Sequence, residues 1–333
     1  MIAGVSVGLV IVLLLVLAAE FVNGATDAPN SIATVVSTRV LSPRAAVAMA
    51  AVLNGIGVLF GTAVAATIGK GFAATESIGL IAIGAAMISI VIWSSVAWYF
   101  GLPTSESHAL VASLTGSAFA SGGLAVLRWE GWQKVLIGLC FSTFVGFGTG
   151  LIIISLIYRL FKNMPHARVG RLFSRLQIAS AGFMAFSHGS NDGQKFMGVF
   201  TLALMVGGVI PQSDKFYVPW YVILICSVAM AIGTAIGGWR IIRTLGMRLV
   251  KITPVQGFAA ETGAATAIVV ASHFGIPLST THTISTSIMG VGAAKRFSAV
   301  RWGVAGELVA AWILTFPICA FIGWAMTAIA LAF

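Results

Sequence analysis

The sequence predicts an all-α membrane protein, with about ten transmembrane segments in two inverted-topology repeats with broken helices. Three observations predict it: a composition nearly free of charge, apolar runs of membrane length, and two motifs that each recur in the same order. Of the 333 residues, 59% are hydrophobic and 8% charged, with a mean hydropathy of +1.02. A soluble domain carries about 25% charged residues, so this surface is not built for water. Runs of about 18 or more apolar residues recur, each able to cross a hydrocarbon core. No ten-residue alternating strands occur, so the spans are helices with internally satisfied backbones.

The segments run approximately 2–22, 44–66, 78–100, 104–127, 133–160, 176–205, 217–239, 256–274, 277–294 and 302–332. The first run, from Ile2 to Leu17, lacks a basic leader and continues into a polar motif, which marks a retained helix. The net charge of +10 sits in short loops, a topology pattern that excludes a nucleic-acid footprint. Arg159–Arg175 holds five basic residues and no acid, and Arg240–Lys251 holds four and no acid. Both are expected in the cytoplasm, as are the loops with Arg39 and Arg44 and with Lys295, Arg296 and Arg301. Both termini then lie outside a multi-pass plasma-membrane protein. Segments four and nine are read as net crossings, as broken helices. Cys140, Cys226 and Cys319 lie in apolar segments without metal or disulfide spacing.

Two motif pairs carry the repetition. NGATDAPN (23–30) matches HGSNDGQK (188–195), aligning Gly24 with Gly189, Asp27 with Asp192 and Asn30 with Lys195. GLPTSESHALVASLTG (101–116) matches GIPLSTTHTISTSIMG (275–290), aligning Ser105 with Ser279 and His108 with His282. The offsets are 165 and 174 residues, and each half holds an odd number of crossings, which inverts one half against the other. The expected organisation is a first repeat over 1–160, a basic cytoplasmic linker over 161–175 and a second repeat over 176–333.

An ionisable group at membrane depth is costly unless paired, hydrated or bound to a cation. The sequences around Asp27 and Asp192 read as helix breaks, whose freed carbonyls would join a carboxylate and an amide in a hard-cation site. In the second pair, Gly-x-Pro precedes Thr104, Ser105 and Ser107 in one copy and Ser279, Thr280, Thr281 and Thr283 in the other. Pro at a first helical position followed by hydroxyls predicts a helix start, and a helix N-terminus attracts anions. Ordinary helix-packing hydroxyls are the competing reading. Glu106 faces a cavity or the interface, Glu261 suits ion handling better than Glu307, and His108 and His282 are packing residues or ligands.

These motifs resemble the inorganic phosphate transporters of the PiT type, in their prokaryotic low-affinity permease form, over essentially the whole chain. NGATDAPNSIATVVSTR is similar to the first signature, HGSNDGQKFMG to the second, and GLPTSESH and GIPLSTTH follow in order. The resemblance implies import of inorganic phosphate by symport with a cation, by alternating access, in dimers. It implies phosphate binding by Thr104, Ser105, Ser279, Thr280, Thr281 and Gln194. It implies cation coupling by Asp27, Asn30, Asp192, Asn191, Lys195 and Glu261, with sodium at Asp27 and Asp192. No cofactor is expected beyond the coupling cation, a proton or sodium, or a divalent metal complexed with phosphate. The expected partners are phosphate, lipid, a second copy and a cytoplasmic accessory protein, with no nucleic acid. One departure stands out: Gln194–Lys195 ends the second signature where sodium-coupled members have Asn. The Lys195 ammonium is expected beside Asp192 as a tethered cation, with coupling to protons or a metal–phosphate complex. A sulfate permease on the same scaffold is the nearest rival. An intramembrane hydrolase would use its nucleophile and base once, and duplication argues against it. No Walker-type loop supports ATP drive.

Overall fold

The computed structural model describes residues 6–71, 78–212 and 216–333; the start of the first predicted segment, 2–5, lies outside the described residues. Twelve α-helices and no strand occur among the described residues. They are α1 (Val7–Ser37), α2 (Pro43–Val58), α3 (Ala63–Gly71), α4 (Leu80–Phe100), α5 (Glu106–Gly122) and α6 (Trp129–Leu160). In the other half stand α7 (His166–Val206), α8 (Trp220–Ile236), α9 (Trp239–Arg243), α10 (Pro254–His273), α11 (Thr280–Lys295) and α12 (Trp302–Ala332). All ten predicted segments have a helical counterpart. Five helices are long and apolar enough to cross a membrane alone, or seven spans if each bent pair counts as one. Helices α7 and α10 fall short because their inner faces carry buried polar groups, and α11 because it has only 16 residues.

The signatures do not break their helices. α1 runs unbroken through Asp27 and past Pro29, and α7 runs 41 residues through Asp192. The glycines there serve close packing instead. A Cβ at Gly24 would stand 2.6 Å from Met230 O on α8, and one at Gly189 would stand 2.1 Å from Asn54 O on α2. The breaks fall elsewhere: α2 and α3 bend by 71°, and α8 and the α9 stretch by 62°.

The Gly-x-Pro motifs end one helix and begin the next. Gly101 (φ 69°) closes α4 and Gly275 (φ 66°) follows α10, each in the left-handed region that favours glycine. Leu102 N then bonds Ala97 O and Ile276 N bonds Ala271 O, both at 2.9 Å. Pro103 and Pro277 lie outside the helices rather than at a first helical position. Ser105 and Ser279 are the N-caps, so each helix begins three residues after its proline. The predicted linker is also shorter than expected: α7 begins at His166, and only 161–165 connect it to α6.

Packing repeats between the halves. α5 packs on α12 as α11 packs on α6; α1 packs on α8 as α7 packs on α2; α4 meets α12 as α10 meets α6. α1 and α7 meet in antiparallel sense, Leu9 at the start of one against Gly207 at the end of the other. Two apolar cores form. One takes Leu9 to Ala19 of α1 and Phe196 to Leu204 of α7; the other takes Ile32 to Val35 of α1 and Phe173 to Ala185 of α7. Between them lies a buried polar band.

Candidate functional site

The band centres on His188, Asp27 and Asp192. His188 Nε2 lies 4.0 Å from Asp27 Oδ2 and 3.6 Å from Asp192 Oδ2, with all three residues buried. A chain of hydrogen bonds orients the ring. Thr234 donates to Met230 O (2.9 Å), Asn54 Nδ2 donates to Thr234 Oγ1 (3.2 Å), and His188 Nδ1 meets Asn54 Oδ1 (3.0 Å). Nδ1 therefore carries a proton, and a neutral ring turns its Nε2 lone pair toward two carboxylates. That arrangement calls for a positive species, a proton on Nε2 or a cation among the three atoms. One ligand atom from each of the three residues lies within 4.8 Å of the others, close enough to share one ion.

The two signatures then place twin residues against twin hydroxyls. Lys195 Nζ donates to Asp192 Oδ1 (2.6 Å), Ser107 Oγ (2.6 Å) and Leu278 O (2.9 Å). Its partner in the repeat, Asn30, donates to Thr281 Oγ1 (2.9 Å) and faces Thr280 Oγ1 (3.5 Å). Thr281 Oγ1 lies 3.4 Å from Asp27 Oδ2, and Thr280 Oγ1 lies 3.4 Å from Asp192 Oδ2. Asp27, Asn30, Asp192 and Lys195, predicted for the cation, thus share one cluster with Thr280 and Thr281, predicted for the anion.

The first turns of α5 and α11 face this cluster. Ser105 Oγ accepts from His108 N (3.4 Å) and Ser279 Oγ from His282 N (3.2 Å). His108 and His282 meet edge to face at 4.6 Å, which brings the two helix starts together. Each ring also stacks on an aromatic of α12, Phe316 at 4.5 Å and Trp312 at 3.7 Å, so the histidines pack. Thr104 is buried just ahead of the first cap. Two convergent helix N-termini give this point a partial positive field, suited to a tetrahedral oxyanion.

Other predicted residues stand apart. Gln194 accepts from Val64 N (2.9 Å) and donates to Ser190 O (2.5 Å) and toward Phe60 O (3.4 Å). It is committed to the α2–α3 break, away from Ser279. Asn191 donates to Ser272 (2.7 Å) and leaves its own carbonyl oxygen without a partner. Glu261 sits about two turns from Asp27 along α1, accepting from Thr34, Ser180 and Gln177 Nε2. Glu106 faces inward, accepting from Ser94 (2.8 Å) and Thr26 (3.1 Å). Glu307 is surface-exposed and pairs with Arg248.

Three residues escaped the sequence reading of the site. His188, which the repeat aligns with Asn23, is its hub. Ser107 was singled out but not as a ligand of Lys195. Glu20 is fully buried on α1, held at Oε2 by Asn23 (3.2 Å), with Oε1 unpartnered. The signal for Glu20 was a lone acid inside the first predicted segment, 2–22.

A sequence profile described as the phosphate transporter family matches residues 23–323. A relative from Rhizobium meliloti, named a probable low-affinity inorganic phosphate transporter, is 44% identical over 91% of this chain and 90% of its own length. One of the same name from Bacillus subtilis is 39% identical over 94% of each chain. Among solved structures, the one titled "The sodium-dependent phosphate transporter" superposes with a TM-score of 0.91 at 22% identity. That match covers 98% of this chain and all of the other, and shows that the two share a fold.

Proposed function

The chain belongs to the phosphate transporter family, and from that premise we propose that it imports inorganic phosphate by cation symport through alternating access. The observation that carries this reading is the apposition of two capped helix starts to a buried cluster of carboxylates, hydroxyls and an imidazole, between two apolar cores. The helix starts supply dipoles and hydroxyls for the anion, and Ser105, Ser279, Thr280 and Thr281 are its ligands, with Thr104 beside them. Asp27, Asn30, Asp192 and His188 serve the cation: a proton, sodium, or the metal of a metal–phosphate complex. Asn191 and Glu261 support the cation route from further off.

Phosphate is favoured over sulfate because the family is one of phosphate transporters and the similar relatives are named for inorganic phosphate. The repeated motifs and twin packing support two inverted repeats, 1–160 and 176–333, with the basic stretch 161–175, whose first five residues form the connection, in the cytoplasm. We place both termini outside the plasma membrane, and the protein in a homodimer regulated by a cytoplasmic accessory protein.

The test is radiolabelled phosphate uptake into proteoliposomes, varying sodium, pH gradient and unlabelled sulfate separately. Saturable uptake that needs one cation gradient and resists sulfate is expected. Equal accumulation of labelled sulfate would assign the sulfate permease instead, and uptake indifferent to every cation gradient would end the symport reading.

A further inference from the structure

Resting on the phosphate-symport reading, we propose that Lys195 is a built-in cation. Its ammonium fills, in the second half, the position that a transported cation takes beside Asp27 in the first, so each cycle carries one fewer external cation.

The twin positions can be compared within this chain. In the second half, the ammonium is fully buried and touches a carboxylate oxygen, a hydroxyl and a backbone carbonyl. Oxygens of these three kinds are what a hard cation such as sodium or calcium selects. In the first half the matching residue is Asn30, which brings no charge. Its Oδ1 is buried and without a hydrogen-bond partner, and no Lys or Arg pairs with Asp27 among the described residues. The same frame therefore presents an ammonium on one side and oxygen ligands without one on the other.

Two further points decide between a built-in cation and a phosphate ligand. An ammonium has three donors, and all three of Lys195 are committed to protein acceptors, so none remains for an anion. The ammonium also gives Asp192 an ion-pair partner within the chain at 2.6 Å; with Asn at 195, Asp192 would lose that partner.

The experiment uses sodium itself as the probe, on the full chain. Wild type, Lys195→Asn and Lys195→Met are reconstituted, and labelled sodium and labelled phosphate fluxes are measured together. Lys195→Asn is expected to carry one more sodium ion per phosphate than wild type and to depend cooperatively on sodium. Lys195→Met, which removes the charge and offers no oxygen, is expected to lose uptake without gaining sodium dependence. Equilibrium binding of labelled sodium to detergent-purified protein gives a readout independent of transport. Wild type is expected to bind at most one ion per chain and Lys195→Asn one more. Two ions on wild type, or no additional ion on a folded Lys195→Asn chain, would overturn the proposal. Failure of the phosphate reading is distinct: it appears as wild type that moves no phosphate under any cation gradient.

Discussion

Alanine at Gly189 tests whether the signature glycines serve close packing rather than a helix break. An added Cβ would lie 2.1 Å from Asn54 O and 2.7 Å from both Asn54 C and Cα. Ordinary contact begins near 3.4 Å, so α7 and α2 must separate by about 1 Å, and the obstructing atoms are backbone that cannot swing aside. Overpacking of this kind costs about 1–3 kcal/mol. The same shift stretches the 3.0 Å bond from His188 Nδ1 to Asn54, and an unpaired buried group adds about 1–3 kcal/mol. Gly148, where nothing approaches within 4 Å, supplies the opposite sign. Alanine there is expected to gain up to about 1 kcal/mol from helix propensity. Thermal unfolding in detergent should therefore rank Gly148→Ala at or above wild type, then Gly24→Ala, whose nearest atom is at 2.6 Å, and Gly189→Ala lowest. Phosphate uptake by Gly189→Ala should fall with the displaced His188. A Gly189→Ala protein as stable and active as wild type would refute the contact and restore the helix-break reading.

Four further outcomes are expected. Asp192→Asn strands the Lys195 ammonium and should cost about 3–5 kcal/mol in unfolding, whereas Asp27→Asn should abolish cation-driven accumulation at smaller structural cost. Thr34→Val and Ser180→Ala each remove a donor from buried Glu261, and uptake assays should show losses of about fivefold to 150-fold, from about 1–3 kcal/mol. Ser105→Ala and Ser279→Ala each remove an N-cap, about 0.5–2 kcal/mol, and should raise the KM for phosphate more than they lower the maximal rate. Glu20→Gln should retain phosphate exchange across the bilayer but lose accumulation against a gradient; unchanged accumulation would confine Glu20 to packing.

The ten apolar segments were legible from their length and hydropathy, and these members of the cluster because repetition marks them twice: Asp27 with Asp192, Ser105 with Ser279, Asn30 with Lys195. What the signatures do to their helices was not. Glycine beside a polar run suits either a break or a close approach, and only the partner backbone, Met230 O or Asn54 O, distinguishes them. The real bends, after Val58 and Ile236, carry no polar motif to announce them. Gln194 misled for a related reason. An amide fits an oxyanion as readily as it fits the start of α3, and tertiary position chose the latter. Glu20 matches Ala185 in the other signature frame, so duplication offered no signal for it.

The departures from symmetry explain the division of labour between the halves. Glu20, Asp27 and Thr34 are spaced by seven residues and so share one face of α1, with Glu261 hydrogen-bonded to Thr34 at its far end. The matching positions on α7 are Ala185, Asp192 and Val199, and the one carboxylate there is already paired with Lys195. On the symport reading, a cation entering the band meets the carboxyls of Glu20 and Asp27 along α1, and the anion meets the two helix starts that face the cluster. Access to either route is sealed at both ends by an apolar core, and each core joins helices from both halves. Opening one end means parting one core while the other holds. Because the contacts that tie the halves are twins, Gly24 on α8 and Gly189 on α2, a rearrangement at one end has a counterpart of comparable energy at the other. On the alternating-access reading, which requires two open states of nearly equal energy, duplicated packing supplies that balance rather than any single hinge.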